Sequence, residues 1–181
     1  MMAQAQEMVL TVIARDRPGL IKALSETIKS HAGNWIDSSM ARLGGEFAGI
    51  VRISVPYDNA NILETALGAL GDAGIWVTIR RDEAVSSPAY ARGSRMTISL
   101  TGVDHPGIIH EVSAALAALD VSIDELSSHV FTGSMSGEAM FEANADVILP
   151  EGLDEARVRD RLEELANDLV VELEGFGETA S

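Results

Sequence analysis

The chain has 181 residues, of which 46% are hydrophobic and 23% are charged, so it can bury one large core or two small ones. It contains no cysteine, which excludes disulfides, thiolate catalysis and zinc–thiolate sites and fits a reducing compartment. No apolar run approaches the length of about 18 residues that a transmembrane helix needs. No basic segment precedes an apolar stretch at the N-terminus, so no export signal is expected and a cytoplasmic location is predicted.

The net charge of −15 is concentrated in the second half of the chain. Residues 1–82 carry 8 basic and 9 acidic side chains, whereas residues 83–181 carry 5 basic and 19 acidic ones. Such a surface repels phosphate backbones, so direct binding of DNA or RNA is not expected. Solubility explains the acidity, and a surface for a basic protein partner is the alternative.

The first predicted strand and helix are repeated later in the chain. The segment "TVIARDRPGLIKAL" at 11–24 matches "SLTGVDHPGIIHEV" at 99–112, an offset of 88. Further on, "WID" at 35–37 matches "SID" at 122–124 with an offset of 87, and Pro56 matches Pro150 with an offset of 94. The drift predicts about seven extra residues between the second and third strands of the second copy, and the small polar segment 132–138 fits such a loop.

The first copy is predicted to contain six elements in the order βαββαβ. Its strands are typical of β-branched, alternating sequence, and its helices show apolar residues at helical spacing. The first helix begins at Pro18 and is ended by Gly33. The strands are expected at 9–14, 35–42, 47–55 and 75–80. The apolar residues of the two helices are Leu20, Ile21, Leu24 and Ile28, then Ile62, Ala66, Leu67 and Leu70.

The second copy repeats this order after a polar segment that reads as a linker, 83–94. Strands are expected at 96–102, 121–131, 139–149 and 169–174, with helices over 107–119 and around 158–165. We therefore predict an α+β fold of two tandem ferredoxin-like βαββαβ units, with antiparallel sheets and helices on one face. The domains are expected at 1–82 and 95–175, followed by a loose tail at 176–181.

Each copy places Asp-x-Pro-Gly where a strand passes into a helix. The first amides of a helix have no internal partner and carry the positive end of its dipole. Gly19 and Gly107 lack the β-carbon that would keep a ligand off the backbone. A carboxylate could bind there, with about 0.3–2 kcal/mol from the dipole. In the alternative interpretation, Asp16 and Asp104 only cap the helices and the prolines only fix the turn.

The pattern "RDRPGL" followed by a helix and "GNWI" resembles the ACT domain family, and "VDHPGII" with "VSID" resembles it a second time. The resemblance implies regulatory modules that bind amino acids or similar small metabolites where two domains meet. Among tandem pairs without a catalytic domain, the chain resembles the glycine cleavage system transcriptional repressor family. That resemblance implies control of transcription, and a homodimer is expected. The acidity of the chain indicates that such control would work by holding a DNA-binding regulator protein.

The resemblance also implies the ligand contacts, which come from the loop after the first strand and from the start of a neighbour's second strand. In the first copy these are Asp16, Arg17, Pro18, Gly19, Leu20, Asn34, Trp35 and Ile36. In the second copy they are Asp104, His105, Pro106, Gly107, Ile108, Ser122 and Ile123. Ser122 stands where Asn34 does, so the second site is expected to be weaker, differently selective or empty. Glycine is among the candidate effectors, and no cofactor is expected.

Catalysis and metal binding find little support in the sequence. The serine pairs at 38–39 and 127–128 lack a matched His–Asp set, and no phosphate-binding loop is present. His105, His110 and His129 could be imagined as a metal cluster, but they belong to different elements. We therefore expect no catalytic residue and no metal site.

The stronger alternative is a protein–protein interaction module that binds no ligand. Trp35 and Trp76 are predicted to point away from the helices, which leaves aromatic rings on the open face or at an interface.

Overall fold

The computed structural model describes residues 5–82 and 93–175. Its contacts divide the chain into two compact units, 1–86 and 87–181. Most of the predicted linker, 83–94, and all of the predicted tail, 176–181, lie outside the described residues, so the domain limits 1–82 and 95–175 stay predictions. Ser94 already belongs to a strand.

Unit 1 contains four strands and two helices in the predicted order. The sheet is antiparallel, with strand order β2-β3-β1-β4, and its helices cover one face. Short 3₁₀ segments at 57–59 and 70–73 flank the second helix. The elements are β1 (Ala5–Arg15), α1 (Leu20–Ser30), β2 (Asn34–Leu43), β3 (Glu46–Pro56), α2 (Ala60–Ala69) and β4 (Ile75–Asp82).

Unit 2 repeats this architecture, with strand order β6-β7-β5-β8. The predicted fold class is therefore confirmed in both halves of the chain. The elements are β5 (Ser94–Val103), α3 (Ile108–Ala117), β6 (Ser122–Thr132), β7 (Ala139–Leu149), α4 (Glu155–Glu163) and β8 (Val170–Gly175).

The core of each unit lies between the sheet and its helices. Because side chains of a strand alternate between faces, every second residue of the central strand faces the helices. In unit 1 the buried set on β1 is Met8, Leu10, Val12 and Ala14, and it packs with Leu20, Leu24, Ile28, Leu63 and Leu67. The alternation predicted for β7 is confirmed, since Phe141, Ala143, Ala145, Val147 and Leu149 are all buried.

The strand registers correct the predicted alignment of the two copies. Asn34 and Trp35 pair with Ser54 and Ile53, as Ser122 and Ile123 pair with Ile148 and Val147. A bulge follows at the same place in both strands, so the offset stays 88 through β2 and β6 and is not 87. The second copy is therefore six residues longer, not seven, and the extra residues lie in the β6–β7 hairpin.

Several predicted apolar positions face solvent. Ile62 is 59% exposed and Ile21 is 51% exposed, whereas Leu63 is fully buried and supplies the inward face of α2. Trp35 was predicted to point away from the helices, and this is wrong. It pairs with the buried Ile53 and packs against the core of unit 1. The prediction is confirmed for Trp76, which is 56% exposed on the open face of the sheet.

Candidate functional site

The turn between β1 and α1 is built around Gly19. This residue precedes the first residue of the helix and has φ +91°, a left-handed conformation that favours glycine. Pro18 therefore lies before the helix and not in its first turn, as the sequence had suggested. No atom lies within 4 Å of the position that a β-carbon on Gly19 would occupy. The glycine is required by backbone conformation, and the space beside it is open.

The amides that open α1 are unpartnered. No side chain caps this helix, and the Ala23 amide donates a hydrogen bond to the Gly19 carbonyl at 3.0 Å. Within residues 5–82 and 93–175, the amides of Leu20, Ile21 and Lys22 have no hydrogen-bond acceptor. They constitute a small positive end at the start of the helix, next to Gly19. The Leu20 side chain is buried and belongs to the core.

Asp16 does not cap the helix, so the capping interpretation is wrong for this residue. Its carboxylate forms an ion pair with Arg42 of β2 at 2.7 Å, and its amide donates to the Gly45 carbonyl. Arg17 donates to the Ala73 carbonyl at the end of the 3₁₀ segment after α2. Both charged residues of the turn are thus engaged within unit 1, and each fixes the turn against another element.

The corresponding turn of unit 2 has the same backbone but different side-chain partners. Gly107 has φ +93°, and the Asp104 amide donates to the Ala139 carbonyl at 2.8 Å. No side chain caps α3, so Asp104 is not a cap either. The Ile108 amide bonds the His105 carbonyl at 3.4 Å, so one of the opening amides is satisfied within the unit. Pro106 precedes the helix here too, and the Ile108 side chain is buried.

His105 makes an ion pair that unit 1 lacks. Its Nε2 lies 2.9 Å from Oε2 of Glu111, one turn into α3. The hydrogen bond that the His105 ring donates to Glu111 is the main cause that raises the pKa of His105 above its ordinary 6.5, and the nearby Asp104 charge adds to it. Unit 1 has Arg17 and Ala23 at these positions, so its turn carries an arginine with no carboxylate in the place of Glu111.

The two groups of predicted site residues lie at opposite ends of the sheet within each unit. The turn follows Arg15, which pairs with Glu46, whereas Asn34 pairs with Ser54, which in turn pairs with Glu7. Eight residues of β1 separate the two rows, which is about 27 Å along the strand. In unit 2, Ser122 pairs with Ile148, which pairs with Arg95, and Arg95 is likewise eight residues from Val103 at the other end of β5. No single unit therefore brings the turn together with the start of its own second strand.

The start of β2 instead joins α1 in lining an open cavity. The cavity has a volume of about 460 Å³, and its walls include Asn34, Trp35 and four polar residues of α1. Ile36 is not in the wall, because it is the extra residue of the bulge and is 39% exposed. Sequence reasoning missed the α1 wall, although one signal was available: Lys22 and Lys29 are the two lysines of the whole chain, and both lie there.

In the described part of the chain, no group of three or more His, Asp or Glu side chains could hold a metal ion. No helix within residues 5–82 and 93–175 is both long and apolar enough to cross a membrane.

The ACT domain model matches residues 6–74 and 94–174. The chain belongs to the ACT domain family. It is also 23% identical over 163 residues to the glycine cleavage system transcriptional repressor of Escherichia coli K12, a match that covers 90% of this chain and 85% of that protein.

Two solved structures extend the similarity to nearly the full chain. An unknown protein from Galdieria sulphuraria matches with a TM-score of 0.80 and 28% identity, covering 95% of this chain and 99% of its own. A putative glycine cleavage system transcriptional repressor matches with a TM-score of 0.69 and 18% identity, covering 94% and 98%. Both similarities support the tandem arrangement of two ACT folds.

Proposed function

We propose that the protein is a non-catalytic regulator that binds an amino acid or a similar small metabolite between the turn of one ACT domain and the second strand of another. Glycine is one candidate. The observation that carries this proposal is the set of unpartnered amides at Leu20, Ile21 and Lys22, beside a glycine that leaves open space. Backbone amides at a helix start bind carboxylates, and every free amino acid has a carboxylate.

A second copy of unit 1 would complete the site. The outer edge of β2 has no strand partner among the described residues, because β3 pairs only with its inner edge. Antiparallel pairing of two such edges would place Asn34 of each copy near the Gly19 turn of the other, since Asn34 and the turn lie at opposite ends of the sheet. The Asn34 amide both donates and accepts, so it suits a zwitterion. The proposal therefore requires a homodimer.

Glycine sets a limit on affinity. It has five non-hydrogen atoms, and the ceiling of about 1.5 kcal/mol per atom allows a dissociation constant no tighter than a few micromolar. Such an affinity suits a sensor of metabolite levels.

The similarity to the Escherichia coli repressor supports a role in transcription, and we propose that this role is exerted through a protein partner. The net charge of −15 opposes direct binding to DNA. A DNA-binding regulator protein is therefore the expected target. Retention of DNA by the purified protein at physiological salt, with no second protein present, would contradict this part of the proposal.

Calorimetric titration with glycine and other single amino acids tests the ligand. With glycine or another amino acid that has a single carboxylate, we expect binding heat from the wild type, loss of that heat in Gly19→Val and in Asn34→Ala, and retention in Gly107→Val. Circular dichroism of each variant controls for folding. Absence of heat from every amino acid would overturn the proposal.

That outcome would favour the interaction module that binds no ligand. The open face of unit 1 offers one observation in its support. Ile13 and Trp76 are cross-strand neighbours there, and they are 47% and 56% exposed. Ile50, 55% exposed, lies on the same face.

A further inference from the structure

The cavity between α1 and β2 carries a charge pattern of its own. Lys22, Glu26 and Lys29 are spaced by four and three residues, so all three lie on one face of α1. Within the described residues, none of these side chains makes an ion pair or a hydrogen bond. The cavity thus presents two ammonium groups and one carboxylate whose charges are not neutralised by neighbours.

The base of the cavity includes Gly33. A β-carbon on Gly33 would lie 2.7 Å from Cγ2 and 2.9 Å from the backbone oxygen of Ile28, which is too close for a side chain to be added without movement. Ile28 is buried and lines the cavity together with the half-buried Trp35. Two apolar side chains thus lie beside three charged ones, and small-molecule sites combine these two kinds of group.

Unit 2 carries a larger side chain at the position that corresponds to Gly33. Its equivalents of Ile28 and Gly33 are Leu116 and Val121, both buried, and Val121 keeps the backbone bond to Leu116 at 3.0 Å. Leucine has no branch at its β-carbon, which leaves room for the valine side chain. The lysine and glutamate positions of the cavity are His110, Ala114 and Ala117 in unit 2. Unit 2 therefore keeps the same backbone arrangement without the glycine, the lysines or the glutamate.

We propose that this cavity is a binding site for an amino dicarboxylic acid, complete within unit 1. Two carboxylates would meet Lys22 and Lys29, the ammonium group would meet Glu26, and the carbon chain would lie against Ile28 and Trp35. The lysines are seven positions apart and so lie about 10 Å from each other along the helix, a distance that two flexible side chains can close around a small molecule. The site shares Asn34 and Trp35 with the proposed effector interface, but it needs neither the Gly19 turn nor a second copy.

The lysines allow a direct test, because the chain has no others. The full-length protein is acylated with a limiting amine reagent, with and without L-glutamate or L-aspartate, and the modification of Lys22 and Lys29 is measured by mass spectrometry. The N-terminal amine serves as the internal reference. We expect L-glutamate or L-aspartate to slow acylation of both lysines about tenfold relative to the N-terminus, a ratio that cancels the reagent consumed by the amine of the ligand itself.

Three comparison ligands define the ligand class. L-Glutamine retains the ammonium group but loses one carboxylate, and glutarate retains both carboxylates but loses the ammonium group. Glycine tests the effector instead. We expect each of the three to protect the lysines several-fold less than L-glutamate. Equal protection by L-glutamine, or none by either acidic amino acid, would overturn the proposal.

Two variants separate this site from the effector interface. Ile28→Leu with Gly33→Val copies the pair that unit 2 uses, so it should fold and abolish protection. Lys22→Gln with Lys29→Gln keeps the cavity and removes its cations, and it should abolish the binding heat of L-glutamate. Gly19→Val is the matched control and should retain both signals. Undiminished glutamate binding in a folded cavity-filled variant would contradict the proposal, whatever the outcome with glycine.

Discussion

The two units share one backbone but differ at the places that face a ligand. In both units a glycine with positive φ precedes the first helix, and a bulge lies near the start of the second strand. In both, the amide of the aspartate in the turn donates to a backbone carbonyl near the hairpin that joins the second and third strands. Unit 1 then has Arg17 in the turn, an open cavity and both lysines. Unit 2 has the His105–Glu111 pair and a buried Val121 in place of Gly33. The two units therefore share their backbone geometry, whereas the side chains at the turn and at the cavity position give each unit a different chemical environment.

The largest expected change in the free energy of unfolding comes from α2 and tests whether this helix buries the same face as α4. Leu63→Ala removes a fully buried side chain and should destabilise the protein by about 2–5 kcal/mol in urea unfolding. Leu63 and Val158 are fully buried residues of the two helices, and the residues that precede them, Ile62 and Arg157, are both exposed. Ile62→Arg, the matched control, should change stability by less than about 0.5 kcal/mol. A larger loss from Ile62→Arg than from Leu63→Ala would show that the helix faces are assigned incorrectly.

A smaller effect is expected at the glycine shared by both turns. Gly19→Ala forces a non-glycine residue into a left-handed conformation and should cost about 1–2 kcal/mol. Gly68 lies inside α2 with no atom within 4 Å of an added β-carbon, so Gly68→Ala should stabilise by up to about 1 kcal/mol. Thermal unfolding of the two variants measures the difference. Shifts of the same sign in both would contradict the assigned backbone geometry.

The Asp16–Arg42 ion pair has no equivalent in unit 2, because Val130 occupies the position of Arg42 there. Arg42 is largely exposed, so Arg42→Val should cost at most about 1 kcal/mol, and the cost should fall as salt is added. Urea unfolding at two salt concentrations measures this. A cost that does not respond to salt would indicate that the arginine acts through packing.

The smallest effect is a pH dependence confined to unit 2. Glu111→Ala copies Ala23 of unit 1 and should lower the pKa of His105 towards 6.5. Because the fold raises this pKa, the pair stabilises unit 2 at acidic pH, and its contribution fades as pH rises through the pKa of the folded protein. The titration of the His105 ring followed by NMR measures the change. Glu138→Ala, which removes a carboxylate from the β6–β7 hairpin, is the control. An unchanged His105 titration in Glu111→Ala would refute the pairing.

Much of the frame was predictable because its signals are local. Alternation along β7, helical spacing in α3 and the Pro-Gly pair before each first helix all lie within a few residues. The bulge at Ile36 was not predictable, because it depends on the register between β2 and β3. That bulge determines which face Trp35 occupies, and this is why its inward orientation was missed.

The candidate site was predictable only in part for the same reason. The open turn at Gly19 follows from residue types, but the partners of Asp16 and Arg17 lie 26 and 56 residues away along the chain. The cavity required Gly33 to be seen beside Ile28 in three dimensions.

The proposed function depends on the opening amides of α1, which we expect to bind the carboxylate of an amino acid effector. Titration of the ¹⁵N-labelled full-length protein with glycine, followed by the NMR shifts of the backbone amides, tests this contact. The largest shifts are expected at Leu20, Ile21 and Lys22, with smaller shifts at Ile109 and His110. Saturable binding that leaves the amides of residues 19–22 unshifted would contradict it.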